Sequence, residues 1–177
     1  MPKLVDQEAR RRLIADTVVR IIGTRGLEAA SVRNVATEAG VSAGAVQRCF
    51  ATKDDLLRFV LRHVNERFKA RVLARVTDPA DTDAGLRIVI DEMLPLDAER
   101  RLESATTLAL LAHSAIDPAC GEIMRSAYAG AHAFFATRLG KAGAVSLYAL
   151  ISGLQGPLLV GAITAEQAWS IVEDRLP

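Results

Sequence analysis

The sequence predicts an all-α fold of about nine helices, and two observations support this class. Half of the 177 residues are hydrophobic but only 5% are aromatic, which favours helices packed through small side chains. No segment shows sustained alternation of apolar and polar residues bounded by hairpin turns, so we expect no sheet. We therefore assign each element from apolar residues at helical spacing and from capping residues.

The first helix is expected over about residues 6–25. Leu13, Val18 and Ile21 lie at helical spacing and form an apolar stripe. Gly26 follows and is a suitable stop, because glycine adopts the left-handed conformation that ends many helices.

Two short helices follow the first one. Ser31 is a suitable N-cap for a helix that ends at Gly40, and Ser42 is a suitable N-cap for a second helix that runs to Phe50. Helices of this length are unstable alone, so we expect the first helix to cover them.

A long helix is expected next, from its cap at Thr52 to about Val76. Asp54 and Asp55 stand in its first turn, where negative charge suits the helix dipole. The segment 77–83 is expected to form two Asp-rich turns around Pro79 and to mark a boundary in the chain. The remaining helices are expected at about 83–94, 98–115, 118–139, 142–162 and 165–175.

The spacing of small and apolar residues in the two short helices predicts a helix-turn-helix. Ala36 is small enough to let the second helix cross over it, Gly40 permits the positive φ of the turn, and Val46 follows in the seam. The outer side of the second helix is poor in large apolar groups, which suits entry into a major groove. The residues expected to face DNA there are Ser42, Ala43, Gly44, Ala45, Gln47 and Arg48.

The charge is divided unevenly along the chain. Residues 1–71 contain 14 Lys/Arg against 8 Asp/Glu, a net charge of +6, whereas residues 72–177 have a net charge of −5. A basic front and an acidic back indicate that the front part meets a polyanion.

Residues 10–62, including "RGLEAASVRNVATEAGVSAGAVQRCFATKDDLL", resemble the N-terminal domain of TetR-family transcriptional regulators. The resemblance implies an all-helical homodimer that binds double-stranded operator DNA and releases it when a small molecule binds the C-terminal domain. It implies an N-terminal DNA-binding domain at residues 1–52, followed by a helical ligand-binding and dimerisation domain at residues 53–177.

The resemblance also implies roles for single residues. Ser31 matches a capping position that often contacts phosphate, and Lys53 matches a phosphate-binding lysine. Apart from the resemblance, the length of its side chain gives Arg33 hydrogen-bonding reach into the groove, as for Ser42, Gln47 and Arg48. Gln47 stands where the family usually has Tyr, so we expect DNA binding with a different sequence preference. Cys49 replaces another frequent aromatic residue and is interpreted as a small buried filler, with a redox-sensing thiol beside Arg48 as the alternative.

The last two long helices are expected to form the dimer, because "AVSLYALISGLQGPLLVGAI" is too apolar to face water alone. The expected interface residues are Leu147, Leu150, Ile151, Leu154, Leu158, Trp169 and Val172. An effector pocket, mainly apolar, is expected among residues for which a plain core role is the alternative. They are Phe59, His63, Met93, Thr106, Leu110, His113, Met124, Tyr128 and Phe135.

Other classes of function find little support in the sequence. The three His residues lack metal-binding spacing, no phosphate loop or nucleophile elbow is present, and we expect neither metal, cofactor nor enzymatic activity. The N-terminus lacks the features of a signal peptide, and no uninterrupted apolar run of about 18 residues occurs, so we expect a cytoplasmic protein without a membrane span. The alternatives that stay open are a regulator controlled by a partner protein and a transcriptional activator.

Overall fold

The computed structural model describes residues 2–78 and 80–176, and side chains from Gln7 onward. Over these residues the chain is helical and contains no strand, which confirms the predicted all-α class. A short 3₁₀ turn, Leu27–Ala29, separates the first two helices. The helices are α1 (Pro2–Arg25), α2 (Val32–Ala39), α3 (Ala43–Cys49), α4 (Lys53–Arg75), α5 (Thr82–Met93), α6 (Ala98–Ser114), α7 (Pro118–Leu159) and α8 (Ala165–Glu173).

Helix α7 spans two segments that the sequence predicted as separate helices, at about 118–139 and 142–162, and it contains a break between them. Gly140 has φ 68° and ψ 172°, a non-helical conformation that divides the 42 residues of α7 into two parts. This backbone region is accessible essentially to glycine alone. By length and composition alone, α7 is apolar enough to cross a membrane. Within the protomer, 28% of its most apolar stretch of 18 residues is buried.

The chain packs as two compact units whose limits differ from the predicted boundary at residue 52. The N-terminal unit contains the residues up to Glu66 together with Ala105–Met124. The C-terminal unit contains Arg67–Ser104 and the residues from Arg125 onward. Helices α4, α6 and α7 therefore each contribute residues to both units.

The core of the N-terminal unit lies where α1 meets the short helices. Ile14, Val18 and Ile21 of α1 are fully buried, and so is Val35 of α2. Burial of each such side chain contributes about 1.5–3 kcal/mol. This packing accounts for the stability of two helices that are too short to form alone.

The core of the C-terminal unit is built from α5, α7 and α8. Phe135, Ile90 and Ile151 are fully buried there. The same core contains five residues that the sequence assigned to the dimer interface. Their side chains are enclosed by their own protomer and have little surface left for a partner. The five are Leu147, Ile151, Leu154, Leu158 and Val172. Leu150 and Trp169 are half-buried.

Candidate nucleic-acid interface

The turn between α2 and α3 has the geometry that the sequence predicted. Gly40 adopts φ 66° and ψ 31°, and the Val41 amide donates to the Ala36 carbonyl oxygen at 3.0 Å. Ser31 Oγ accepts from the Asn34 amide at 3.2 Å, and Ser42 Oγ accepts from the Ala45 amide at 3.1 Å. Each serine satisfies one of the donors that a helix N-terminus leaves unpaired.

Helix α3 presents a polar face to solvent and an apolar face to the unit. Val46 is buried, whereas the next two residues, Gln47 and Arg48, are exposed. Most residues that were expected to contact DNA are exposed, namely Ser31, Arg33, Ser42, Ala43, Gln47, Arg48 and Lys53. The exposed set combines hydroxyl, amide, guanidinium and ammonium groups, which suit phosphate oxygens and base edges.

Two of the expected contact residues are placed differently. Ala45 is only 8% exposed and packs on the inner side of α3 with Val46, so its methyl group has no access to thymine methyls. Gly44 is half-buried, and a Cβ added there would lie 3.4 Å from Arg48 Nη1. The Arg48 side chain therefore folds back along α3 and covers Gly44.

The C-terminal end of α3 is anchored by aromatic rings that α1 covers. Phe50 packs edge-on against Phe59 with ring centroids 5.3 Å apart. The Arg11 guanidinium lies 5.0 Å from the Phe50 centroid and 4.5 Å from the Phe59 centroid. Cation–π contacts of this kind fix the C-terminal end of α3 within the N-terminal unit.

The residues of the predicted effector pocket are divided between the units. Phe59, His63, Thr106, Leu110, His113 and Met124 belong to the N-terminal unit, and Met93, Tyr128 and Phe135 to the C-terminal unit.

Several of these residues already have structural partners. His63 Nε2 lies 2.7 Å from Asp16 Oδ1, and the buried Thr106 hydroxyl donates to the Val19 carbonyl oxygen at 3.1 Å. Leu110 and Phe135 are fully buried, so these two fill the cores of their units and do not line an open pocket.

The C-terminal unit contains an aromatic cluster of which the sequence revealed only one member. The Tyr128 and Tyr148 ring centroids are 5.2 Å apart, and His132 lies 5.1 Å from Tyr148. Burial raises the pKa of Tyr148 to about 12, so its hydroxyl stays neutral at physiological pH. The π faces of such a cluster attract organic cations.

A second feature of the C-terminal unit was missed altogether, a buried ion network between α4, α5 and α6. Arg71 Nη2 donates to Glu103 Oε2 at 2.7 Å, and Arg71 Nε donates to Glu92 Oε2 at 2.8 Å. Glu92 and Glu103 are only 7% and 4% exposed. We call Arg71, Glu92 and Glu103 the ionic clamp.

Two neighbouring arginines complete the charge balance of the ionic clamp. Arg75 Nη1 pairs with Glu92 Oε1 at 2.7 Å, and Arg67 Nε lies 2.8 Å from Glu103 Oε1. Burial acts to raise the pKa of Glu92, but hydrogen bonds from Arg71 and Arg75 outweigh it and hold that pKa below its usual value. The spacing of the three arginines, four residues apart on one face of α4, was the signal available in the sequence.

A surface cleft of about 290 Å³ in the C-terminal unit is charged rather than apolar. None of the residues predicted for the effector pocket belongs to it. Its lining residues are Arg75, Arg87, Ile88, Asp91, Trp169 and Glu173.

A capped helix-turn-helix with an exposed polar recognition face defines a DNA-binding regulator. Comparison with known families agrees with this class. Residues 14–60 match the model of bacterial regulatory proteins of the tetR family, and residues 79–177 match the C-terminal model of BetI-type transcriptional repressors. The chain therefore belongs to the TetR family, and as its relatives are transcriptional regulators, the prediction that it is not an enzyme is confirmed.

Individual relatives extend this assignment. The HTH-type transcriptional regulator PksA of Bacillus subtilis is 39% identical over 115 residues, a match covering 64% of this chain and 56% of PksA. The HTH-type transcriptional regulator BetI of Burkholderia cenocepacia is 29% identical, with 98% of this chain and 95% of BetI covered. A transcriptional regulator from Saccharomonospora viridis in complex with choline has a TM-score of 0.83 and 25% identity, covering 94% of both chains.

Proposed function

We propose that this TetR-family protein is a ligand-responsive repressor that binds palindromic operator DNA as a homodimer. The observation that carries the proposal is the exposed polar face of α3. On that face Gln47 and Arg48 stand beside the Ser42 cap, while Val46 is buried behind them. A helix presented in this way fits the major groove, and a two-fold pair reads two half-sites about 34 Å apart.

The proposed contacts divide into two kinds. Gln47 and Arg48 read base edges, because amide and guanidinium groups form bidentate pairs with adenine and guanine. Ser31, Arg33 and Lys53 are exposed around α3 and bind phosphates, which sets register rather than sequence preference. Ala45, being buried, is left out of the proposed set.

The proposed dimer uses the outer face of the second part of α7. Val145, Ala149 and Gly153 are four residues apart, form one stripe and are exposed in the protomer, with Val145 at 53%. Most of the most apolar stretch of α7 is not buried in the protomer, and an exposed apolar surface of this kind is typical of a protein–protein interface. A second copy supplies it, and helices with small residues on this stripe approach closely. Because DNA is the other partner, we place the protein in the cytoplasm.

The proposed effector is a small, mainly apolar molecule bound in the C-terminal unit. Two observations extend this class to organic cations with apolar groups. The rings of Tyr128, His132 and Tyr148 form a cluster suited to such a cation, and the similar Saccharomonospora viridis regulator was solved with choline. For release, the effector has to bind the free dimer more tightly than the DNA-bound dimer.

Selection of genomic fragments with the purified full chain tests the DNA part. We expect enrichment of one palindromic site, and two protomers per site by sedimentation of the complex. A protein that prefers no duplex over random sequence, even at low salt, would refute the proposal.

A thermal-shift series tests the effector part, with choline chloride as the probe and sodium chloride at equal ionic strength as the control. We expect choline to raise the melting temperature and to weaken operator binding. Replacement of Tyr148 by Leu should remove the shift while operator binding persists. Failure of choline to shift melting would refute the extension of the effector class to organic cations.

A further inference from the structure

We propose that the ionic clamp sets operator affinity from a distance, by fixing the two helices that leave the C-terminal unit for the DNA-binding unit. Arg71 is in this view a positioning residue that never touches DNA. The inference rests on the proposed function. Three observations support it: the low burial of the last turns of α4, the position of the ionic clamp along α4 and α6, and the hydrogen bonds between Arg71 and its two carboxylates.

The two parts of α4 are held by different forces. All buried residues of α4 lie in its first part, the last of them being His63. Beyond it, Phe68 and Val72 are only partly buried against the C-terminal core, and Leu73 is 75% exposed. Ion pairs therefore supply much of what fixes the last turns of α4 in the C-terminal unit.

The clamp lies where two helices pass from one unit to the other. The division falls between Glu66 and Arg67 in α4 and after Ser104 in α6. Arg71 is thus about one helical turn beyond the division in α4, and Glu103 lies one residue before the last residue of the C-terminal unit in α6. Three residues after Glu103, the buried Thr106 hydroxyl donates to the α1 backbone in the N-terminal unit.

The chemistry of the clamp favours positioning over stability. Removing two carboxylates from water costs several kcal/mol each, so a buried ion network adds little net stability compared with apolar packing. A guanidinium that bonds two carboxylates does fix direction, since its donors form a planar fork. Arg71 bonds Glu92 on α5 and Glu103 on α6, so it sets the directions of α4 and α6 together.

Arg71→Met tests the clamp because the variant should still fold. Glu92 keeps its pair with Arg75, and Glu103 keeps its pair with Arg67, so neither carboxylate is left without a cation. The matched control is Arg87→Met, which removes the same charge from the exposed pair between Arg87 and Glu173 in the same unit. Operator affinity is measured with the site selected by the wild-type protein, at a temperature well below the melting point of either variant.

We expect Arg71→Met to lower operator affinity about tenfold or more, in the usual range of coupling between distant sites, and Arg87→Met to leave it unchanged. Equal operator affinities of Arg71→Met and Arg87→Met would overturn the proposal, even if Arg71→Met melts at a lower temperature.

Hydrogen exchange of the DNA-free protein supplies a readout that does not depend on an operator. Arg71→Met should speed exchange in residues 105–114 of α6, which belong to the N-terminal unit, relative to Arg87→Met. Confinement of the change to residues before 105 would overturn the clamp whatever the operator affinity. This measurement also separates failure of the clamp from failure of the proposed function, which shows as a wild-type protein without an operator.

Discussion

The outer faces of α3 and of the second part of α7 are both exposed in the protomer, but their chemistry differs. On α3 the exposed groups are the hydroxyl of Ser42, the amide of Gln47 and the guanidinium of Arg48. On α7 the proposed dimer stripe exposes the side chains of Val145 and Ala149, with Lys141 and Ser146 exposed beside it. Exposure alone therefore does not identify a partner; hydrogen-bonding groups suit a polyanion, whereas small apolar groups suit a copy of the same helix.

Salt should separate the two faces most strongly. If each dimer neutralises about 6–10 phosphates, operator affinity should fall roughly 10³–10⁵-fold between 50 and 200 mM salt, because bound counterions are released on binding. The apolar α7 contact should be unaffected over the same range. Fluorescence anisotropy for DNA and sedimentation equilibrium for the dimer check both. Parallel weakening of the two equilibria would contradict the assignment of the faces.

A charge placed on the α7 face should have the next largest effect. Val145→Asp buries an unpaired carboxylate in each copy of the proposed interface, which costs several kcal/mol and shifts the protein to monomers. Operator binding should fall with it, because single half-sites bind weakly. Sedimentation velocity reports the change, with Ala84→Asp on the exposed start of α5 as the control. A dimeric Val145→Asp protein would place the interface elsewhere.

Loss of a base-reading group should be smaller and specific. Gln47→Ala and Arg48→Ala should each cost about 1–3 kcal/mol per lost bidentate pair and relax preference at one position of each half-site. Glu28→Ala, an exposed change outside the recognition helix, is the control. Competition against a panel of single-base operator variants measures the preference. A uniform loss on every duplex would indicate phosphate contacts instead.

The smallest effect is expected from Asp117, which lies on neither face. Hydrogen bonds from the Cys120 amide and from Arg58 lower the pKa of Asp117 to about 2. A carboxylate with a depressed pKa stabilises the fold above its unfolded pKa of about 4 and ceases to do so as pH falls towards 2.

Asp117→Asn should therefore unfold more easily than the wild-type chain at pH 7, and the difference should shrink as pH falls from 4 to 2. Urea titrations at several pH values give both curves. A difference that does not depend on pH would show that the charge of Asp117 is unimportant.

The sequence predicted well those features that depend on neighbouring residues. The caps at Ser31 and Ser42, the turn at Gly40 and the break at Gly140 all follow from local backbone chemistry. Because the recognition helix is bounded by such local features, its position could be predicted from the sequence alone.

Features that depend on distant residues were predicted less well. The apolar stripe with Leu147 and Ile151 was correctly identified as buried, but periodicity does not show whether the protomer core or a partner covers a stripe. Thr106 was assigned to a pocket, and the sequence contains no local sign of its hydrogen bond to Val19 of α1, which is 87 positions away. For the ionic clamp, the arginine spacing was visible, whereas its acidic partners on α5 and α6 were not.

The backbone of Gly140 has a consequence for how this chain can vary. With φ 68° and ψ 172°, the position is strained for any residue that carries a Cβ, so substitution is expected to favour helical backbone across the break. The segment before the break and the segment after it would then share a single axis, and the stripe carrying Val145 would rotate away from its present direction. Substitution of Gly140 is therefore expected to disrupt the proposed dimer.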